Sequence, residues 1–429
     1  MTSTVKRECV YICPKKNRKC RIHASYSISP YCAEHLLHDP DLNEETKRSL
    51  RCPCPLSPSH SVDPSDLKRH LKVCNQRQII LGPFHRLLYN SALKDEVIED
   101  NNDYPDILKE IDDEQLDLLI KKLEYLHDST VEQSANTYKI HDVIQTELNK
   151  EDCGFKTRKH LEQIGSLIGQ LDTLNLLNDD TCYVELGAGR GKTSHFLSMC
   201  LTEKINIDFV LIERDHQRYK FDSYHREGQQ AGPPFIRYRM DIRDLYLPEI
   251  PIIKQKQSNI VVLSKHLCGS GTDLALRCVV NIIKEIPFIK AVVIAICCHH
   301  CINWTEYVGK QFFIENNFTP REFYFVRALT SWSTCENRYN QKLSDDRLLF
   351  NMKKDESIEK SSYSKRRFYS IQRQEEIGEK AKRLLDWGRV LYLKKNGFDA
   401  HLNIYASKII TLENVAIVAQ PKESQVQDT

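Results

Sequence analysis

Residues 182–214 read CYVELGAGRGKTSHFLSMCLTEKINIDFVLIER. The stretch parses as a strand, a glycine-rich turn, a helix and a second strand. Tyr183, Val184 and Leu186 make the first strand short and apolar. It ends on Glu185-Leu-Gly187-Ala-Gly189-Arg-Gly191. Glycines at alternate positions let the backbone turn sharply and meet a ligand closely, because no Cβ intervenes. The turn opens a helix over 192–201, whose unpaired N–H groups face that ligand. A second apolar strand, Phe209 to Ile212, delivers Glu213 at its carboxyl end. A carboxylate there suits the two hydroxyls of a ribose.

The spacing is E-x-G-x-G-x-G, which is not the dinucleotide pattern G-x-G-x-x-G. Gly189-Arg-Gly191-Lys192-Thr193 resembles the end of a phosphate-binding loop, but the first glycine of that loop is missing. This argues against an NTPase. The stretch resembles motif I of class I S-adenosylmethionine-dependent methyltransferases.

The following segments keep the rhythm of an α/β sheet. Phe235 to Met240 reads as a third strand and ends at Asp241, an acceptor suited to an adenine amino group. Asn259 to Ser264 reads as a fourth, followed by Lys265-His266-Leu-Cys268-Gly269 and a helix over 272–283. Lys290 to Ile296 reads as a fifth, ending on Cys297-Cys298-His299-His300-Cys301. Ligands of open α/β sheets bind outside the carboxyl ends of the strands. Glu213, Asp241, Lys265 and His299 are therefore expected to converge on one cleft. The cysteines after the fifth strand raise a rival reading, a third metal site. Adjacent donors on a strand point to opposite faces, which argues against it, and Cys268 and Cys297 read as buried small apolar groups.

The chain has 429 residues, too many for one ordinary domain. Its formal net charge of +2 does not announce nucleic acid by itself, but the first ninety residues are basic and 95–114 is acidic. No apolar run reaches transmembrane length, and polar residues follow Met1, so neither a membrane span nor a secretory signal is expected. Sixteen cysteines without such a signal point to a reducing compartment and to metal before disulfides.

Two small modules carry the metal pattern. Cys9, Cys20, Cys32 and His35 offer three thiolates and an imidazole, a set suited to tetrahedral zinc, with Cys13 and His23 as spare donors. Cys54, His60, His70 and Cys74 follow as C-x5-H-x9-H-x3-C. Asp63 and Pro64 are expected to start a helix that carries His70 and Cys74 on one face. Cys52 lies outside the pattern.

Helices are expected over 116–126, 139–148 and 156–177, with 95–114 as a mobile linker. In the C-terminal part, 321–373 reads as an insertion. It carries Trp332 and the basic run Lys365-Arg366-Arg367-Phe368-Tyr369. Basic residues with aromatics suit an RNA backbone with stacking, while a solvated loop explains them equally well. A helix over 374–396 and strands near 400–406 and 415–419 complete the chain.

The order of these motifs resembles the eukaryotic tRNA ribose 2′-O-methyltransferase family that modifies the fourth nucleotide of the acceptor stem. It rests on the two zinc patterns, Glu185 to Gly191, Ser264 to Gly269, Thr272-Asp-Leu-Ala-Leu-Arg277 and Cys297-Cys-His-His300. The C-x5-H-x9-H-x3-C module is similar to CHHC fingers of RNA-associated proteins. The resemblance implies S-adenosyl-L-methionine as donor, two structural zinc ions and tRNA as substrate. From the sequence itself an intracellular protein of nucleus or cytoplasm is expected, with no membrane and no obligate protein partner evident. The expected fold is α/β, a Rossmann-like class I methyltransferase with a mostly parallel seven-stranded sheet. The expected domains are 5–38 and 51–78 for the zinc modules, 79–155 for a helical region, 156–420 for the methyltransferase and 421–429 for a disordered tail. Glu185, Gly187, Gly189, Gly191, Glu213 and Asp241 are the expected cofactor residues. Lys265 is the expected base or oxyanion stabiliser, with His266 or His299 as alternatives. A protein or small-molecule methyltransferase and a noncatalytic RNA-binding adaptor are the rival functions.

Overall fold

The computed structural model describes residues 7–13, 18–74, 82–92, 107–150, 154–217, 220–225, 232–334 and 369–422. The chain divides into two compact units, Met1–Ile80 and Leu81–Thr429.

The first unit is built from short pieces. Strands β1 (Ile12–Cys13) and β2 (Arg18–Lys19) pair antiparallel. Helix α1 (Glu44–Leu50) is capped by Asn43, whose side chain accepts from Thr46 N. Strands β3 (Cys52–Cys54) and β4 (Ser57–Val62) form a second hairpin. Helix α2 (Leu67–Val73) follows. Asp63 does cap this start, accepting from Ser65 N, but a 3-10 turn over Pro64–Asp66 precedes the helix, and Cys74 sits at its C-cap.

The second unit holds one large mixed sheet. Its early elements are α3 (Asp113–Thr130), β5 (Ala135–Asn136), α4 (Asp142–Leu148) and α5 (Phe155–Thr173). Then come β6 (Thr181–Leu186), α6 (Lys192–Met199), β7 (Asp208–Ile212), β8 (Phe235–Tyr238) and α7 (Pro251–Lys256). They are followed by β9 (Asn259–Cys268), α8 (Ser270–Ile282), β10 (Ile289–Cys297), α9 (Lys310–Glu315) and α10 (Pro320–Leu329). The last are α11 (Ile371–Lys395), β11 (Phe398–Ile404) and β12 (Val415–Pro421). The strand order is β5-β11-β12-β10-β9-β6-β7-β8. Among the described residues the sheet has eight strands where seven are expected from the sequence. The additional one is the two-residue β5, which pairs with the edge strand β11 through Asn403 and Ile404. Pairings are parallel from β10 through β8, and β12 runs antiparallel to both β10 and β11.

Both faces of the sheet are covered, so its central strands are apolar throughout. The alternation of side chains sorts them between two cores. Cys182, Val184, Leu186, Val210 and Ile212 belong to one. Tyr183, Phe209, Leu211, Val261 and Leu263 belong to the other. Helix α3 buries Leu116, Leu119, Ile120, Leu123 and Leu126, a stripe at helical spacing. Asp112 caps it by accepting from Gln115 N, so the end of the expected acidic linker is ordered, while 93–106 lies outside the described residues.

The expected insertion also departs from its reading. Arg321 lies in α10, which opens with a Thr319–Glu322 capping box. A 3-10 turn over Thr330–Thr334 places Trp332 in the core, 1% exposed. Trp332 is therefore a packing residue and not a stacking platform for RNA. Residues 365–368 of the basic run lie outside the described residues.

Chain order places the site. The path runs outward through β6, β7 and β8, then returns to β9 beside β6. The carboxyl ends of β6 and β9 flank the switch point where such sheets take ligands.

Candidate active site and metal clusters

A cleft of about 770 Å³ lies at that switch point, within the size of small-molecule sites, roughly 300–1,000 Å³. Glu185, Gly187, Gly189, Lys192, Glu213, Asp241, Lys265 and His266 are among the residues that line it.

The three glycines after β6 all have positive φ, +67°, +50° and +77° for Gly187, Gly189 and Gly191. Any side chain is strained there, but the space differs. A Cβ on Gly189 would have nothing within 4 Å, so this residue opens on the cleft. A Cβ on Gly187 would lie 2.6 Å from Leu267 Cδ2, and one on Gly191 2.9 Å from Leu211 Cδ2. The close approach expected at Gly187 is thus to the protein's own Leu267.

Glu213 shapes the same loop. Its Oε2 accepts from Gly189 N at 2.7 Å and its Oε1 from Asp215 N at 2.8 Å. An ionised carboxylate has about four acceptor positions, so capacity for further donors remains. Asp241 Oδ1 accepts from Arg243 N at 2.9 Å, and its Oδ2 lies 3.6 Å from Arg214 Nη1. Glu185 is buried. Its Oε2 accepts from Ser194 Oγ at 2.6 Å and Ser194 N at 3.2 Å. Burial pushes its carboxyl up, and the Ser194 and Thr193 hydrogen bonds oppose that shift.

Arg237 is a residue that sequence reading passed over. It donates from Nη1 to Gly189 O at 2.8 Å and holds Asp222 through two 2.7 Å bonds. An arginine inside the apolar strand β8 was the available signal.

Strand β9 runs past Ser264 to Cys268, so Lys265 and His266 are strand residues. Ser264 pairs with Ile294 and Leu267 with Ile296, three steps on β9 against two on β10. This β-bulge re-aims the side chains in the manner usual beside active sites. Lys265 is half-buried, with Nζ 3.5 Å from His160 Nδ1. Desolvation, then the charge of Lys192, lowers its pKa. His266 is exposed, and Cys268 is exposed too, not the buried apolar group that the sequence suggests. Burial among its neighbours pushes the Cys297 thiol up.

His299 does not reach this cleft. It is 1% exposed and its Nε2 lies 2.7 Å from Asp386 Oδ1, with Glu413 Oε2 3.6 Å from Nδ1. The cause is Cys298, whose φ of +53° and ψ of 43° turn the chain after β10 and carry His299 inward. Asp386 belongs to α11, as does Arg389, which holds Asp273 at 2.6 and 3.1 Å in full burial. His299 and Asp273 are therefore members of an internal ionic network. Of the four strand-end residues expected to converge, Glu213, Asp241 and Lys265 do so and His299 does not.

In the first unit, Cys9, Cys20, Cys32 and His35 come together as one group, and so do Cys54, His60, His70 and Cys74. Tetrahedral zinc, at about 2.3 Å to sulfur and about 2.0–2.1 Å to nitrogen, sets sulfur–sulfur edges near about 3.8 Å and sulfur–nitrogen edges near about 3.5 Å. Cys54 Sγ to Cys74 Sγ is 3.6 Å, and Cys74 Sγ to His60 Nε2 is 3.5 Å. Cys9 Sγ to His35 Nδ1 is 3.7 Å, and Cys20 Sγ to Cys32 Sγ is 4.0 Å. Both groups match the ion. Cys13 and His23 stand outside the first, and Cys52 Sγ points to Val62 O, outside the second.

The cleft defines a methyltransferase of the α/β kind. The family model described as methyltransferase TRM13 matches residues 162–420, and that of the U11-48K-like CHHC zinc finger matches 51–75. The tRNA:m(4)X modification enzyme TRM13 homolog of Mus musculus is 31% identical, over 98% of this chain and 95% of its own. The tRNA:m(4)X modification enzyme TRM13 of Scheffersomyces stipitis is also 31% identical, over 94% and 98%. A solved structure of a putative sarcosine dimethylglycine methyltransferase from Galdieria sulphuraria is 9% identical with a TM-score of 0.25, over 70% of this chain and 96% of that one. The chain belongs to the TRM13 methyltransferase family. Its cofactors are S-adenosyl-L-methionine and zinc. Among the described residues no helix is long and apolar enough to cross a membrane.

Proposed function

We propose that this chain transfers a methyl group from S-adenosyl-L-methionine to the ribose 2′-hydroxyl of the fourth nucleotide in the tRNA acceptor stem, within the nucleus or cytoplasm. Its membership of a family whose relatives are named tRNA:m(4)X modification enzymes supports tRNA as substrate. The strand order from β8 to β11, with β12 reversed, supports a class I core to which β5 is an edge addition. The segments 5–38 and 51–78 act as zinc modules and 156–420 as the catalytic domain, with 79–155 between them in sequence.

One observation carries the chemistry: Gly189, Glu213, Asp241 and Lys265 face a single cleft. The open side of Gly189 fits a ligand that lies against the backbone. Glu213 is the acceptor for the ribose hydroxyls of the cofactor and Asp241 for its adenine amino group. Glu185 sustains the loop through Ser194, and Gly187 and Gly191 give it its path. The bound cofactor supplies an electrophilic sulfonium methyl group. Once bound there, the cofactor would present that methyl group to the 2′-oxygen, and the chain's own residues would hold the two in line.

The protein must align the 2′-oxygen and take or stabilise its proton. Lys265 is the residue for this, because the bulge of β9 aims it at the cleft. His266, also at the rim, is the alternative. Full-length protein given labelled donor and total tRNA should place the label in a 2′-O-methyl nucleoside at position four. Label in a base, in protein or nowhere would contradict the reading.

A further inference from the structure

The ends of β9 and β10 carry thiols that methyl transfer does not use, beside the imidazole of His266. His266 Nε2 lies 3.2 Å from Cys268 Sγ, and its Nδ1 lies 3.3 Å from Cys297 Sγ. Cys298 completes the group, and one ligand atom from each of the four residues lies within 4.8 Å of the others. A single imidazole gives one nitrogen to one ion, so one of these two separations is a ligand edge and the other shows only that the ring lies between the thiols; either value falls within the 3.1 to 4.0 Å found in the two N-terminal clusters, between His60 and His70 and between Cys20 and Cys32.

Ordinary strands would not assemble this group, since neighbours on a strand face opposite ways. Two backbone features overcome that. The bulge at Lys265 and His266 breaks the alternation of β9, so that His266 leans toward Cys268 and Cys297. The left-handed Cys298 turns the chain directly after Cys297, so consecutive thiols meet at one point. A residue other than glycine rarely adopts that conformation, and it persists where its surroundings hold it. Parallel pairing of Cys297 with Cys268 supplies the remaining thiol.

We propose that His266, Cys268, Cys297 and Cys298 bind a third zinc ion at the rim of the cleft. Three thiolates and one imidazole in a compact group suit a soft tetrahedral ion, whereas calcium and magnesium require oxygen donors. Four protein ligands close the coordination sphere, which is the mark of a structural ion and not of one that activates water. The ion ties the end of β9 to that of β10 and so fixes the backbone that presents Lys265. It also occupies the imidazole of His266 and removes it from proton transfer. The inference rests on donor geometry and is independent of the role given to Lys265.

The test is metal analysis of the full chain after dialysis against metal-free buffer. Three zinc ions per chain are expected, and two in the C268S/C298S variant. A second full-length variant, C9S/C32S/C54S/C74S, disables both N-terminal sites and is expected to retain one zinc. Cobalt titration of metal-stripped wild-type chain gives an independent count, three equivalents with sulfur-to-cobalt absorption. Two zinc ions in the wild type with the thiols reduced, none in the quadruple variant, or a different metal at the third position would overturn the proposal.

Discussion

The two units are held together by different forces. In Met1–Ile80 a buried apolar cluster consists of Cys9, Cys20 and Cys32 with Tyr11, Cys13 and Tyr31 against them. In Leu81–Thr429 two continuous apolar cores sandwich the sheet. A unit whose core is its own ligand set cannot outlast its ion, because metal binding and folding are then one equilibrium. A unit that buries whole strands can. Metal is therefore a condition of folding in the first unit and a local clasp in the second.

The largest effect expected from this contrast is His70→Ala. Structural zinc contributes about 10–16 kcal/mol in finger peptides, so the 51–75 module should unfold outright, seen as rapid proteolysis there. Cofactor binding by the second unit should persist. Protection from protease in the variant would show that the module has a core of its own.

Next is Trp332→Ala. Truncating a core tryptophan costs about 3–5 kcal/mol, to be read as a lower denaturant midpoint for the second unit. If Trp332 instead served RNA, tRNA affinity would fall with stability unchanged.

A smaller loss follows from Gly189→Val. Its side chain enters the cleft, so cofactor Kd should rise at least tenfold, about 1.4 kcal/mol, by calorimetry. Gly187→Val should act chiefly on stability, by displacing Leu267. Equal loss of stability in both would remove the distinction drawn between them.

A further effect is confined to acid. Burial alone would raise Glu413, but hydrogen bonding and charge from His299, with Lys382, hold it down to about 2, from 4.5. Tyr405 and Cys297 also face it. A depressed carboxyl contributes stability above its unfolded pKa and loses it as pH falls through the folded one. Wild type should exceed Glu413→Gln in stability above pH 4.5, with the gap closing toward pH 2. A gap constant with pH would assign the effect to packing.

What the sequence disclosed follows the range of the interactions. The turn from Glu185 to Gly191 and the acids Glu213 and Asp241 are local: each sits at the end of an apolar run, and the structure brings them to one cleft. The N-terminal ligands were legible for the same reason, as donors at set intervals. His299 was misplaced because its partner Asp386 lies 87 residues away and nothing near it in sequence announces a buried acid. The group at Cys297 was discounted on strand alternation, which holds only where neither a bulge nor a left-handed residue intervenes. Both do here. Trp332 was grouped with the basic run by proximity, although its turn caps a core-packed helix.

Lys265→Ala tests the chemical role of the cleft most directly. Single-turnover methyl transfer at saturating donor and tRNA isolates the step in which the proton leaves. A fall of at least roughly a hundredfold is expected, the low end for a lost general base, with cofactor and tRNA affinities little changed. A near-normal rate in this variant would contradict the assignment.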